Sequence, residues 1–163
     1  MPQVFVSVGS NIERERHVSS ALRELRERFG CLAVSRVYES KAVGFAGDDF
    51  FNLVIGFKTE EAVLAVAGCL REIEMLHCRD RQAPRFSSRT LDLDLLLYGD
   101  LLIDEQGINL PREEITRYAF VLGPLAEIAG DMRHPLIGRS FRELWREFDK
   151  DRQPMWPVAM DVG

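Results

Sequence analysis

The apolar residues of the chain recur with two different spacings, and the alternation between these spacings predicts both strands and helices. Short runs rich in β-branched and aromatic residues predict strands at residues 4–8, 32–38, 51–57 and around 91–97. Apolar residues three or four positions apart predict a helix after the first strand and another after the third: Val18, Leu22, Leu25 and Phe29, then Val63, Val66, Ala67, Leu70 and Ile73. Two short helices are predicted at residues 117–129 and 140–148.

The order strand, helix, strand, strand, helix, strand is typical of an α+β ferredoxin-like sandwich (βαββαβ) with an antiparallel sheet. We expect both long helices on one face of the sheet, the other face open to ligands, and the two short helices as extra C-terminal elements. Residues 1–150 are expected to form a single domain, followed by a C-terminal tail, residues 151–163, that wraps the surface or is partly mobile.

The last predicted strand places two carboxylates in an otherwise apolar segment. Side chains alternate between the two faces of a strand, so Asp92 and Asp94 share one face, with their Cα atoms only ~7 Å apart, while the leucines around them share the other. Because no basic neighbour is expected on that face, the two half-buried carboxylates repel each other and need a cation between them. Magnesium carried by a nucleoside triphosphate meets that need. The alternative is the solvent-exposed face of an amphipathic strand.

Arginines are concentrated just before this strand. Five of them fall within nineteen residues: Arg71, Arg79, Arg81, Arg85 and Arg89. Residues 78–89 have no apolar periodicity, which predicts a long mobile loop. Because the planar guanidinium grips phosphate oxygens at two points, arginines beside a pair of carboxylates predict a polyphosphate clamp. The alternative is a solvated charged loop, which does not explain why the cations adjoin the acidic pair.

Composition narrows the class of protein. The chain has 163 residues, of which 46% are hydrophobic and 29% charged, as expected of one soluble globular domain. A net charge of -5 argues against a nucleic-acid partner, which calls for a basic surface. No apolar run reaches membrane-spanning length and the N-terminus shows no leader, so we expect a cytoplasmic protein without a membrane partner. The three cysteines are expected to be reduced.

Four segments in this order resemble 6-hydroxymethyl-7,8-dihydropterin pyrophosphokinase, and together they indicate a divergent member of that family. They are Ser7-Val8-Gly9-Ser10-Asn11, Tyr38-Glu39-Ser40 with Phe50-Phe51-Asn52, Arg89-Thr90-Leu91-Asp92-Leu93-Asp94, and Ala119-Phe120-Val121-Leu122 with Pro124-Leu125. The resemblance spans roughly residues 4–148. It implies a ferredoxin-like enzyme of folate biosynthesis that transfers pyrophosphate from MgATP to the hydroxymethyl group of a reduced pterin and releases AMP.

The resemblance also implies roles for individual residues. Asp92 and Asp94 would bind two magnesium ions and, with Arg79 and Arg89, form the catalytic group. The implied ATP-binding residues are Arg71, Glu74, Arg79, Arg89 and Arg112. The implied pterin-binding residues are Ser40, Val43, Phe50, Asn52, Phe86 and Phe120. A planar, amide-like heterocycle suits such a mixture of aromatic walls and fixed polar groups. For each aromatic residue the alternative is packing in the core, and for Phe50 or Phe51 taken by itself that alternative is preferred.

Three positions depart from the pattern of the family. Phe86-Ser87-Ser88 stands where relatives usually have Trp-Gly-Pro, Arg112 where they commonly carry histidine, and Lys41 where they usually have proline. These departures alter the loop and the phosphate contact, while both aspartates are retained.

Two other classes of protein are weighed against the enzyme. A catalytically weak paralogue would bind pterin or nucleotide without turnover, and the departures favour it, whereas both aspartates argue against it. A ferredoxin-like RNA-binding module would stack bases on the sheet, but the acidic balance argues against it. The expected partners are therefore ATP and a reduced pterin, in a monomer or weak homo-oligomer.

Overall fold

Eight strands, five α-helices and a short 3-10 helix (Lys150–Arg152) make up the regular structure of residues 1–41, 49–77 and 91–163, the parts of the chain that the computed structural model describes. In chain order they are β1 (Gln3–Ser10), α1 (Arg14–Phe29), β2 (Ala33–Val34), β3 (Val37–Ser40), β4 (Phe50–Lys58), α2 (Val63–His77), β5 (Asp92–Tyr98), β6 (Ile103–Glu105), β7 (Ile108–Leu110), α3 (Glu114–Arg117), α4 (Ala119–Ala129), α5 (Phe141–Glu147) and β8 (Met155–Val158).

The central sheet is antiparallel and has the strand order β5-β1-β4-β3-β8, with β2 also paired to β4. β1 and β4 lie in the middle and are buried along almost their whole length, so both faces of the sheet are covered there. β6 and β7 form a separate two-stranded hairpin.

Helices α1 and α2 cover one face of the sheet. Their buried side chains pack against alternate residues of the central strands, such as Val4, Val6 and Val8 of β1. Each aliphatic side chain buried in this way contributes about 1.5–3 kcal/mol to folding, so the period-2 pattern of β1 fixes which face meets the helices.

The opposite face is covered in part by the C-terminal helices. Phe5 and Val54 project to this side and pack against buried residues of α3, α4 and α5, including Ile115, Leu122 and Phe141. The expected open face is therefore smaller than the sequence suggested, because α4 packs over β3 and β4. The remaining part of this face lies at the ends of β1, β4 and β5.

The ferredoxin-like α+β fold with additional C-terminal helices is confirmed. Several boundaries differ from the prediction. The expected strand at residues 32–38 is divided into β2 and β3 at Ser35, whose hydroxyl accepts a hydrogen bond from the Val54 N–H at 3.0 Å. The expected helix at residues 117–129 is also divided, because Tyr118 has extended backbone angles (φ -123°, ψ 128°).

The predicted C-terminal tail contains a strand that the sequence did not reveal. β8 pairs with β3 and extends the sheet by one edge strand, a place where Pro157 is tolerated. The expected boundary at residue 150 stays a prediction. No helix within the described ranges has both the length and the apolar character required for a membrane span.

Candidate active site

Three residues on neighbouring strands form a row across the open part of the sheet. Gly9 of β1 pairs with Asn52 of β4 on one side and with Asp92 of β5 on the other. Paired residues of antiparallel strands project to the same face, and the strands are ~4.8 Å apart, so Asn52 and Asp92 flank a gap of about 10 Å between their backbones. Gly9 leaves this gap without a side chain, and a Cβ there would lie only 3.1 Å from the Asn52 Oδ1.

The acidic strand has the predicted alternation. Leu93 and Leu95 are buried in the core against α1 and α2, while Asp92 and Asp94 are half-buried on the other face. Glu74 of α2 accepts a hydrogen bond from the Leu93 N–H at 2.9 Å, midway between the two aspartates. β5 is the edge strand of the sheet. The hydrogen bond from Leu93 to Glu74 therefore holds this strand in place where the side chains of Asp92 and Asp94 project.

A β-bulge brings a basic residue to the acidic strand. Phe5 pairs with Leu97 and Val6 with Leu95, which leaves Leu96 as an extra residue in β5. The Leu96 carbonyl accepts a hydrogen bond from the Arg112 N–H at 3.1 Å.

The guanidinium of Arg112 approaches both the acidic strand and a neighbouring glutamate. Its Nη2 lies 3.9 Å from the Asp94 Oδ1, and its Nε donates to Glu114 at 2.7 Å. The expectation that the aspartates have no basic neighbour on their face is therefore wrong. The sequence could not reveal this neighbour, because Arg112 follows β7 and reaches the acidic strand through its hydrogen bond to Leu96 in the bulge.

Four of the residues predicted to bind ATP or metal line one cleft: Arg71, Glu74, Asp94 and Arg112. The cleft lies between α2, β5 and the β6–β7 hairpin. It combines two arginines, which suit phosphate oxygens, with two acidic residues, of a kind that can ligate magnesium.

Whether Asp92 and Asp94 suit magnesium depends on how many protein ligands this ion needs. In residues 1–41, 49–77 and 91–163, no group of three or more histidine, cysteine or acidic side chains is arranged to hold a metal ion. Magnesium usually takes only one or two protein carboxylates and completes its shell with water and substrate phosphates. Asp92 and Asp94 fit this role, in which the nucleotide brings the remaining ligands.

On the other side of Gly9, Asn52 and Ser40 form a buried polar pair. The Asn52 Nδ2 donates to the Ser40 Oγ at 3.0 Å, so the Asn52 Oδ1 points toward Gly9. Both residues are buried, whereas Phe50, at the start of β4, is half-buried. An amide held in this way offers a fixed hydrogen-bonding edge, which a planar heterocycle can match.

Phe120 lies near Ser40 in the structure. The two residues line a pocket of about 420 Å³, within the usual range for small-ligand pockets. Phe120 is half-buried and stacks on Tyr118, with ring centroids 5.0 Å apart and an interplanar angle of 19°. Tyr118 thus supports the ring that was predicted to contact the pterin.

A hydrogen bond between sheet and helix holds α4 over β3. The Tyr38 hydroxyl donates to the Glu127 carboxylate at 2.6 Å. Burial, together with this bond, raises the pKa of Tyr38 to about 12. Burial alone would raise the pKa of Glu127, but hydrogen bonds from Tyr38 and Arg36 outweigh it and lower that pKa. The pair therefore stays a neutral donor and a charged acceptor across the physiological pH range.

Some of the predicted site residues lie outside the described part of the chain: Val43, Arg79, Phe86 and Arg89. The structure brings the others into two groups on either side of Gly9, with Asp92, Asp94, Arg71, Glu74 and Arg112 on one side, and Ser40, Phe50, Asn52 and Phe120 on the other. Sequence reasoning assigned no role to Gly9, which lies within the first motif that carried the resemblance, or to Tyr118, which directly precedes the last one.

Comparison with known proteins identifies the family. Residues 5–130 match the family model described as 7,8-dihydro-6-hydroxymethylpterin-pyrophosphokinase (HPPK). A 2-amino-4-hydroxy-6-hydroxymethyldihydropteridine pyrophosphokinase of Pseudomonas aeruginosa is 38% identical over 146 residues, which cover 87% of this chain and 89% of the relative. The enzyme of the same name from Haemophilus influenzae is 32% identical over 152 residues, covering 91% and 94% of the two chains.

Solved structures support the fold. A Plasmodium falciparum HPPK-DHPS structure superposes with a TM-score of 0.70 at 14% identity, covering 90% of this chain and 41% of that one. At this identity the likeness concerns the fold alone, and the chain spans less than half of the solved protein. The family predicted from the four segments is confirmed by the sequence matches. The chain belongs to the 7,8-dihydro-6-hydroxymethylpterin-pyrophosphokinase family, the ATP-dependent pyrophosphokinases of folate biosynthesis.

Proposed function

We propose that this pyrophosphokinase joins its two substrates over Gly9, with ATP on the Asp92 side and 6-hydroxymethyl-7,8-dihydropterin on the Asn52 side. The observation that carries the proposal is the row Asn52–Gly9–Asp92, in which a side-chain-free gap of about 10 Å separates a fixed amide from the acidic strand. A pterin bound to the amide would direct its hydroxymethyl group toward the triphosphate.

In the proposed reaction the hydroxymethyl oxygen attacks the β-phosphorus of ATP. A bond forms between this oxygen and the β-phosphorus, the bond from the β-phosphorus to the oxygen of the α-phosphate breaks, and AMP and one proton leave. Little covalent chemistry falls to the protein, so its contribution is positioning and stabilisation of charge. Two magnesium ions, when bound with the nucleotide, neutralise and orient the phosphates.

The acidic side of the site is assigned to nucleotide and metal. Asp92 and Asp94 hold the magnesium ions, and Arg112 and Arg71 meet phosphate oxygens at the cleft that they line with Glu74 and Asp94. Glu74 keeps the edge of β5 in place through Leu93. Arg79 and Arg89, which lie outside the described residues, are assigned to the transferring phosphates on the strength of the motif alone.

The other side of the site is assigned to the pterin. Asn52, oriented by Ser40, binds the polar edge of the ring, and Phe120, supported by Tyr118, stacks on its face. Phe50, together with Val43 and Phe86 from outside the described residues, completes the pocket. We further propose that the protein acts in the cytoplasm as a monomer or a weak homo-oligomer.

Pterin-dependent release of AMP tests the proposal. The protein is incubated with labelled ATP and Mg²⁺, with and without 6-hydroxymethyl-7,8-dihydropterin. We expect AMP and pterin diphosphate in equal amounts, and only when the pterin is present. Asp94→Asn should lose this release, whereas Asp104→Asn, on exposed residue Asp104 of the β6–β7 hairpin, should retain it. Binding of pterin or nucleotide without AMP release would instead indicate the weak paralogue and contradict the proposal.

A further inference from the structure

The N-terminus of α4 is capped by a side chain from the far end of the chain. Tyr118, its own N-cap residue, makes no side-chain capping bond. The Gln153 Oε1 instead accepts from the Ala119 N–H at 2.9 Å, and the Gln153 Nε2 donates to the Arg117 carbonyl at 2.9 Å. One amide therefore satisfies the Ala119 N–H at the start of α4 and the Arg117 carbonyl at the end of α3, a donor and an acceptor that helix ends otherwise leave without partners.

A second contact fixes the same segment against α4. A Cβ at Gly123 would lie 2.5 Å from the Met155 Cε and 3.0 Å from the Trp145 ring, so only glycine allows Met155 to approach the helix this closely. Met155 is also the residue of β8 that pairs with Ser40 of β3. Residues 153–155 thus contact α4 on one side and the edge of the sheet on the other.

These contacts place the C-terminal segment at the candidate pterin pocket. Arg152, Gln153, Pro154 and Met155 line the pocket together with Ser40 and Phe120. The segment lies beyond residue 130, where the match to the family model ends. The wall that it forms is therefore a feature of this chain that the family match does not describe.

We propose that Gln153 is a positioning residue for the pterin. By holding the backbone at Arg117 and Ala119, it fixes the stack of Tyr118 and Phe120, and with it the aromatic wall of the pocket. This inference rests on the proposed assignment of Phe120 and Ser40 to the pterin. The C-terminal segment thereby contributes to the affinity for pterin and does not contribute to the binding of ATP.

The test compares Gln153→Ala with Gln153→Glu and with Asp151→Ala, a control on an exposed residue two positions earlier. Steady-state kinetics vary pterin and ATP separately. We expect Gln153→Ala to raise the KM for pterin roughly tenfold, a change of about 1.4 kcal/mol, with kcat and the KM for ATP within about twofold of wild type. Gln153→Glu keeps the acceptor for the Ala119 N–H and should recover part of the loss, while Asp151→Ala should match wild type.

A direct readout of the cap accompanies the kinetics. Hydrogen exchange at the Ala119 amide should accelerate in Gln153→Ala and stay close to wild type in Gln153→Glu. Faster exchange with an unchanged pterin KM would overturn the proposal, and so would an equal loss of affinity for pterin and ATP. If Gln153→Ala does not fold, a wild-type pterin KM in Gln153→Glu together with a lost amide protection would overturn it as well.

Fluorescence titration of pterin in the presence of Mg²⁺ and a non-hydrolysable ATP analogue separates this inference from the assignment on which it rests. Absence of pterin binding by the wild-type protein would contradict the proposed function. Binding by the wild-type protein and equally tight binding by Gln153→Ala would contradict only the role of Gln153.

Discussion

Arg112 donates its backbone N–H to the carbonyl of Leu96 at 3.1 Å. Leu96 is the extra residue of the bulge in β5, so its carbonyl is available to a residue from outside the sheet. The bond places the guanidinium of Arg112 3.9 Å from the Asp94 Oδ1 and in contact with Glu114. A local irregularity in the acidic strand thus brings a cation to the proposed phosphate site.

Removing this cation should weaken ATP binding. We expect Arg112→Ala to raise the KM for ATP about tenfold, because a charged contact to phosphate is typically worth about 1.5–3 kcal/mol, part of which solvent can replace. Arg112→His should lose less, since imidazole can also donate to a phosphate. Arg117→Ala, which removes an exposed arginine paired with Glu113, is the control and should leave the KM unchanged. An ATP KM equal to wild type in Arg112→Ala would contradict the role given to Arg112.

A methyl group at Gly9 should interfere with the pterin. The Cβ of Gly9→Ala would lie 3.1 Å from the Asn52 Oδ1, which forces the amide to move by a few tenths of an ångström. We expect a rise in the KM for pterin of about tenfold or more and a smaller effect on ATP, measured by steady-state kinetics.

The matched control for Gly9→Ala is a glycine in a helix. A Cβ at Gly68 of α2 would have no heavy atom within 4 Å, so Gly68→Ala should keep the pterin KM of wild type and stabilise the fold by roughly 0.5–1 kcal/mol. Binding of pterin by Gly9→Ala as tightly as by the wild-type protein would contradict the placement of the substrates over Gly9.

The contact between Glu74 and Leu93 should stabilise the edge strand. We expect Glu74→Ala to lower the free energy of unfolding by about 2 kcal/mol, because the Leu93 N–H loses a charged acceptor. Glu74→Gln keeps an acceptor oxygen and should retain most of the stability. Urea unfolding measures both, with Glu72→Ala on the exposed side of the same helix as the control. Equal stability of Glu74→Ala and Glu72→Ala would contradict this account.

The two halves of the site differ in how far the sequence reveals them. The placement of Asp92 and Asp94 on one face depends only on the period of a single strand, so it could be predicted locally. The row Asn52–Gly9–Asp92 depends on the register of three strands that are distant in sequence, and no local pattern contains that information.

The C-terminal contribution was missed for a similar reason. Gln153 has no local signal, because its partners lie 34 and 36 residues earlier in the chain. The tail was predicted to wrap the surface or to be partly mobile, and no strand was predicted in it. An edge strand with one exposed side tolerates proline, so β8 could form despite Pro157.

Acidification should destabilise the protein through His134. Its Nδ1 accepts hydrogen bonds from the N–H groups of Leu136 and Ile137, both at 3.2 Å, and its ring packs edge-on against Phe141. Burial lowers the pKa of His134 below its ordinary value of 6.5. The unfolded chain then binds a proton that the folded protein does not, so this stability is present above pH 6.5 and is lost as the pH falls toward the folded pKa.

Thermal or urea unfolding between pH 7.5 and 5 checks this expectation. His134→Asn keeps an acceptor for the two N–H groups and removes the titrating ring. We expect the variant to lose less stability than wild type over this interval. Parallel curves for the two proteins would show that His134 does not contribute to the pH dependence.

Calorimetric titration with a non-hydrolysable ATP analogue tests the central claim most directly, that Asp92 and Asp94 bind magnesium nucleotide at the open face of the sheet. Wild-type protein and the control Asp104→Asn should bind the analogue in the presence of Mg²⁺ and bind it much more weakly after chelation with EDTA. Asp92→Asn and Asp94→Asn should lose at least tenfold in affinity and most of the dependence on Mg²⁺. Tight, Mg²⁺-dependent binding by both aspartate variants would contradict the account.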